Sequence, residues 1–309
     1  MPSGHRHLSA NRQPRMANTE LTNAMTVDVE DYFQVSAFES RIERAQWDDI
    51  SPRVERNTDS ILQLFSDHDV RATFFVLGWV AERFPDLLKR IGQGGHEIAS
   101  HGYSHVRATT QEPREFREDV SRTKQLLEDL TGQEVKGFRA ASFSIGADNL
   151  WATEILADVG YRYSSSVYPV RHDLYGMPDA PRFPFRHAGS NLLEIPISTV
   201  ALGSMNLPCG GGGYFRLLPY RYFHWALARL NSIERQPAIF YFHPWEIDER
   251  QPRLSDLSFK TRLRHYVNLG KTKGRLTRLL KAFAWNRLDD IFLDGASPRV
   301  EPVHVGEAR

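Results

Sequence analysis

The sequence predicts an α/β fold in which parallel strands form a barrel or a barrel-like sheet. Short β-rich runs alternate with longer helical ones from Ala24 onward, the pattern of βα units. The candidate strands end in polar or charged residues, as they do where such a sheet gathers its site at the C-terminal strand ends. The 309 residues are 41% hydrophobic and 25% charged, enough for one large domain or two small ones with an ordinary core.

MTVDV (25–29) reads as the first strand, and the segment 54–70 as a helix with Ile61, Leu62 and Phe65 at its apolar positions. RATFFVLGWV (71–80) reads as a buried strand running into its loop. A short helix ended by glycines follows at 85–95, then a strand at HEIASH (96–101). In 113–132, Phe116, Val120, Leu126, Leu127 and Leu130 line one side of a helix that Gly132 closes. Strands are predicted at VKGFRA (135–140), YRYSSS (161–166), LLEIPIS (192–198) and PAIFYFH (237–243), with helices at 149–160 and 220–233 between them. The glycine run in NLPCGGGGYFRLLP (206–219) predicts a flexible or backbone-exposing loop able to close over a ligand.

These elements imply three segments: a disordered leader (1–23), one catalytic domain (24–255) and a basic helical extension with a disordered tail (256–309) packed on it. The basic tail reads as a solvated helix face, with an anionic-surface role as the alternative. A net charge of +1 gives no reason to expect nucleic acid. With Cys209 as the only cysteine, neither an internal disulfide nor a cysteine-based metal site can be built, so any metal is held by His, Asp or Glu. The leader has no apolar core of signal-peptide length, and no run reaches the roughly 18–20 apolar residues of a membrane span. The expectation is a cytoplasmic protein, with peripheral membrane attachment left open.

Chemistry concentrates at the strand ends. TVDVED supplies Asp28, Glu30 and Asp31; GHEIASHGYSH supplies His101 and His105; GFRA supplies Arg139; FYFHPWE supplies His243. A charge at a buried strand end is costly unless it is paired or binds a metal. Two imidazoles four apart can share one ion, and a carboxylate from another segment would complete a set suited to zinc, cobalt or another divalent ion with open positions. The helical metalloprotease pattern is excluded, because Gly102 rather than Glu follows the first histidine.

The segments TVDVEDYF, ATFFVLG, GHEIASHGYSH, GFRAASFS and AIFYFHPWE occur in an order and spacing that resembles the polysaccharide deacetylase, or NodB-homology, family of carbohydrate esterases. The resemblance spans roughly residues 25–245. DVEDYFQVSAFE, LPCGGGGYFRLLPY and FYFHPWEID are similar to the branch found with exopolysaccharide export loci. It implies a distorted (β/α)7 barrel, one divalent metal ion, most often Zn2+ with Co2+ as another option, and hydrolysis of N-acetyl groups on the amino sugars of a polysaccharide or its lipid-linked precursor. Carried over by residue, His101 and His105 are metal ligands, Asp28 is the general base, Arg139 orients it, and His243 is the general acid. The family's adjacent aspartates are here spread over Asp28-Val29-Glu30-Asp31, so the acidic ligand is Glu30 or Asp31, with strand alternation favouring Glu30. Ala141 replaces the family's proline after Arg139, and Gly102 stands where Ser or Thr is usual.

Amide hydrolysis at neutral pH needs an activated water, a stabilised oxyanion and a proton for the leaving nitrogen. A backbone N–H near Ser142 is expected at the oxyanion. Tyr103, Phe143, Tyr214 and Trp245, together with Tyr32, Phe33 and Trp151, lie near the predicted loops, where flat rings pack on the apolar faces of sugars. Two rival functions use the same residues: hydrolysis of a small ureide-type amide, and carbohydrate binding without catalysis.

Overall fold

A computed structural model describes residues 21–172, 175–294 and 302–303. The expected disordered leader, up to residue 20, and the tail beyond Asp294, apart from 302–303, lie outside these described residues. In chain order the strands are β1 (Thr22–Val29), β2 (Thr73–Val76), β3 (Glu97–Ser100), β4 (Gly137–Phe138), β5 (Tyr163–Ser164), β6 (Phe185–His187), β7 (Leu193–Glu194), β8 (Thr199–Leu202), β9 (Met205–Pro208), β10 (Ile239–Phe242), β11 (Ala284–Asn286) and β12 (Pro302–Val303). The helices are α1 (Val54–Ser66), α2 (Gly78–Arg83), α3 (Pro85–Gln93), α4 (Pro113–Thr131), α5 (Trp151–Asp158), α6 (Gly212–Leu217), α7 (Tyr220–Arg229), α8 (Phe259–Tyr266), α9 (Leu269–Ala282) and α10 (Leu288–Phe292).

Seven strands pair in parallel in the order β10-β1-β2-β3-β4-β5-β7. Their C-terminal ends therefore lie along one rim. β6 adds antiparallel to β7, and β11 pairs with the start of β1. β7 and β10 do not form a ladder with each other; the chain leaving β7 reaches β10 through Ser198, whose N–H donates to the Ile239 carbonyl (3.4 Å) and whose Oγ accepts the Ile239 N–H (2.7 Å). On this side β10 meets Ser198 and the Gly210–Gly211 segment rather than a full strand.

The first strand begins earlier than the apolar run suggests. Asn23, expected in the leader, is buried, and its side chain bonds Asn231, the Ala284 carbonyl and the Ala238 N–H. These bonds satisfy an amide that the interior would otherwise penalise. β2 stops at Val76 and the chain turns into α2, because Gly78 and Trp79 donate their N–H groups to the carbonyls of Gly102 and Tyr103. α4 follows the predicted pattern: Phe116, Val120 and Leu127 are buried, and Gly132 ends it in the left-handed region (φ 66°).

The four-glycine stretch is not a lid. Gly210, Gly211 and Gly212 are buried, Tyr241 N–H donates to the Gly210 carbonyl (2.7 Å), and a Cβ at Gly210 would meet the Ile239 carbonyl. Close approach to β10, not flexibility, explains the run.

His96, the first of the three clustered histidines, starts β3 at the opposite end from the rim. Its Nδ1 accepts the Ala72 N–H (3.1 Å), and burial, aided by Arg287 and Arg71, lowers its pKa to about 4. Above about pH 6.5 the ring is neutral in both folded and unfolded chains; as pH falls towards 4 the unfolded chain takes up the proton first and folding weakens. His96→Asn keeps an acceptor but cannot titrate. On acidification from about pH 7 to about pH 4.5, its urea midpoint is expected to rise relative to wild type. A constant gap over that range would contradict a neutral buried His96.

Candidate active site

Each strand end delivers a side chain to the rim. β1 presents Asp28 and leads into Glu30, β3 into His101, β4 into Arg139 and β10 into His243. The turn after His101 passes through two left-handed residues, Gly102 (φ 73°) and His105 (φ 54°), which brings the second imidazole back beside the first, with ring centroids 5.4 Å apart. Asp28, Glu30, His101, His105 and His243 line one cavity of about 310 Å³.

Glu30, His101 and His105 are buried and offer three ligand atoms within 4.8 Å of one another. His101 Nδ1–H donates to the Arg139 carbonyl (2.8 Å), which leaves its Nε2 lone pair available. His105 Nε2 lies 3.1 Å from Glu30 Oε2, yet among the described residues Glu30 Oε2 and His105 Nδ1 have no hydrogen-bond partner. Burial holds His101 below the usual imidazole range and His105 well below it. Glu30 is raised to about 7 by burial, with His243 opposing and Asp28 reinforcing the shift. Neutral imidazoles beside a buried carboxyl group short of donors form a donor set that a divalent cation fits.

Asp31, the other candidate ligand, stands apart from this cluster. Its Oδ1 accepts the Tyr32 N–H (2.8 Å), and its Oδ2 accepts the N–H groups of Val54 (2.7 Å) and Arg53. Both oxygens are committed to the entry of α1, where unpaired N–H groups attract a carboxylate.

Asp28 is held from below. Arg139 Nη1 donates to its Oδ1 (2.6 Å) and to Thr26 Oγ1 (2.8 Å), while Nε and Nη2 bond the carbonyl and hydroxyl of Ser165. The other Asp28 oxygen is 3.9 Å from His243 Nε2. His243 Nδ1–H donates to Glu246 Oε1 (2.6 Å), and Arg216 Nε donates to Glu246 Oε2 (2.6 Å). Burial opposes charge on both groups. The Arg216 charge, together with the bond and charge of His243, nevertheless holds Glu246 down to about 2, while Glu30, Glu246 and Asp28 hold His243 up to about 9. His243 Nε2 is also 3.3 Å from Glu30 Oε1, which Trp245 Nε1–H approaches at 3.4 Å.

Of the predicted substrate contacts, Ser142, Phe143, Tyr214 and Trp245 line the cavity. Ser142 and Phe143 occupy the left-handed region (φ 53° and 52°), and Ser142 Oγ meets Ser36 Oγ at 2.5 Å. Trp245 is mostly a wall, stacked between the rings of His243 (5.3 Å) and His265 (4.3 Å). Tyr103 is outside the cavity: its hydroxyl donates to Glu82 (2.5 Å) and its ring lies under Arg122, 3.8 Å away. Trp151 packs on Phe116, and Tyr32 and Phe33 belong to the core. Sequence reasoning missed Glu246 and Arg216; for Glu246 the signal was its place three residues after His243 on a single helical turn.

Residues 45–164 match the polysaccharide deacetylase family model, and residues 165–293 match a domain of unknown function, DUF3473. The chain is 40% identical over 98 residues to a peptidoglycan-N-acetylglucosamine deacetylase of Bacillus cereus, covering 31% of this chain and 36% of that protein. It is 30% identical over 107 residues to a peptidoglycan deacetylase of Helicobacter pylori (35% and 36%), and 29% identical over 100 residues to a chitooligosaccharide deacetylase of Bradyrhizobium sp. (32% and 46%). The chain thus spans about a third to a half of the length of these relatives. A crystal structure from Mycobacterium smegmatis, assigned as a polysaccharide deacetylase, superposes with TM-score 0.61 over 93% of each chain at 18% identity, a likeness of fold. His101, His105 and Arg139 fall in the first matched segment, Arg216, His243 and Glu246 in the second, and Asp28 and Glu30 precede both.

The geometry separates the two acids experimentally. Glu30→Gln and His101→Ala are expected to reduce bound Zn2+ to well below one equivalent by elemental analysis. Asp31→Ala is expected to retain the ion and lose about 1–2 kcal/mol of stability through its α1 contacts. Loss of metal in Asp31→Ala with retention in Glu30→Gln would reverse the assignment.

Proposed function

Residues 45–164 of this chain are a polysaccharide deacetylase domain, and on that premise we propose that the protein is a divalent-metal-dependent hydrolase that removes N-acetyl groups from the amino sugars of a polysaccharide. The proposed substrate is an exopolysaccharide or its lipid-linked precursor, and the proposed ion is Zn2+ held by Glu30, His101 and His105. The catalytic unit in this reading is 24–255, with the helical segment from 256 packed on it. Among the described residues no helix is long and apolar enough to cross a membrane. The observation that carries the reading is the meeting, in one cavity, of the Glu30–His101–His105 cluster, the Asp28–Arg139 pair and the His243–Glu246–Arg216 chain.

A bound divalent ion supplies Lewis acidity towards the acetyl carbonyl and makes water more acidic. Asp28 would take the water's proton; Arg139 donates to its Oδ1, and its Oδ2 lies 3.9 Å from His243 Nε2. His243 would give a proton from Nε2 to the departing nitrogen, a role supported by the Glu246 carboxylate that holds Nδ1–H and the Arg216 guanidinium that keeps Glu246 ionised. Ser142 lines the cavity, and its N–H would serve the developing oxyanion. Phe143 and Tyr214 offer rings to the sugar.

The reading predicts acetate release from N-acetylglucosamine oligomers that a chelator abolishes, and none of the ring-opening of a cyclic ureide. Ureide hydrolysis without acetate release would replace it, and tight sugar binding without either would favour a silent binding protein. Asp28→Asn is expected to lower turnover by roughly 10²-fold with the ion retained; unchanged turnover would exclude the base role. For His243→Gln, activity on an acetyl ester, whose leaving group needs less proton help, is expected to fall less than activity on the N-acetyl sugar. Equal losses would assign His243 to positioning.

A further inference from the structure

The proposed reaction leaves the basic surface of α8 and α9 without a task. The segment Phe259 to Ala282 carries eight of the chain's 39 Lys and Arg and none of its 38 Asp and Glu. The rest of the chain holds 31 cations against 38 acids, so a segment of +8 sits on a body of −7. In α9, Arg275 donates to the carbonyls of Phe215, Arg216 and Leu218 and Arg278 lies over the Tyr220 ring (4.0 Å), which fixes the helix against α6 and α7. Lys271, Lys273 and Lys281 are exposed.

The helix α8 buries only His265 and Tyr266. At 3.6 residues per turn, Phe259, Lys260, Leu263 and Arg264 share one arc of about 140°. All four are exposed, Phe259 by 81% and Leu263 by 44%. A merely solvated face gives no reason for a bare Phe and Leu interleaved with cations. Arg264 also lines the active-site cavity, as does Leu217, which is 47% exposed on the adjoining α6. The apolar and cationic face therefore borders the cavity mouth.

We propose that this face docks the protein on an anionic phospholipid bilayer. Phe259 and Leu263 enter the interfacial layer, Lys260 and the exposed lysines of α9 meet the headgroups, and the cavity mouth is held beside the membrane surface. Charge complementarity selects the anionic leaflet. The apolar pair selects a bilayer over a soluble polyanion, since stable attachment draws on both buried apolar area and charge. The docking does not depend on the reaction assigned to the cavity.

Sedimentation of the full chain with vesicles of phosphatidylcholine alone, or with one quarter phosphatidylglycerol, tests the proposal. At low salt, binding is expected to be at least about tenfold stronger to the anionic vesicles and to weaken as salt is added. Phe259→Ser/Leu263→Ser and Lys271→Glu/Lys273→Glu are each expected to weaken it at least about fivefold while leaving the unfolding midpoint unchanged, since all four positions are exposed. Equal binding to both vesicles, no vesicle binding, wild-type affinity in either variant, or capture of a soluble anionic polysaccharide without vesicle binding would each overturn it.

Discussion

A guanidinium with no exposed surface, that of Arg139, lies just past the end of β4 and sets the terms for the side chains of the rim. Such a charge is tolerated only if it is paired and its donors are filled, and removing one partner of a buried pair typically costs about 3–5 kcal/mol. Here the partners come from two strands, Asp28 and Thr26 from β1 and Ser165 from the end of β5, while the arginine comes from the end of a third, β4. The Phe75 ring of β2 covers its carbon at 4.1 Å. The Arg139 carbonyl accepts His101 Nδ1–H, so one residue fixes both the orientation of the carboxylate and the tautomer of an imidazole.

A second buried charge system closes the site from the other side. Arg216 donates to Glu246 and to the backbone carbonyls of Arg264, His265 and Val267, so the side chain that keeps Glu246 ionised also clips α8 onto the domain. Gly212 is part of this arrangement, because a Cβ there would collide with the Glu246 carboxylate. The DUF3473 segment is thus no appendage: it supplies β10, His243, and the arginine and carboxylate that orient it. Neither matched segment contains a whole site, and the acids of β1 precede both.

How far the site was legible in the sequence depends on the range of the interactions. Strand ends were legible because a two-residue period places Asp28 and Glu30 on one side, and because a polar residue ending an apolar run has few places to go. The choice of Glu30 rested on that local rule, whereas the reason Asp31 stands apart is tertiary, since its partners Arg53 and Val54 are more than 20 residues away. Arg216 was invisible for the same reason: nothing local marks a basic residue in a short helix as the partner of Glu246, 30 residues later. Tyr103 misled because its neighbours His101 and His105 face the cavity while α2 and α4 draw its ring the other way. Composition misled at the glycine run, where absence of side chains serves close packing rather than motion.

The proposed function has one divalent ion held by Glu30, His101 and His105, and zinc K-edge X-ray absorption of the chelator-stripped protein refilled with one equivalent of Zn2+ examines that shell directly. It predicts nitrogen and oxygen donors at about 2.0–2.1 Å with the outer-shell scattering of two imidazoles and no sulfur. A shell with one imidazole or none, or with the sulfur of Cys209, would contradict it.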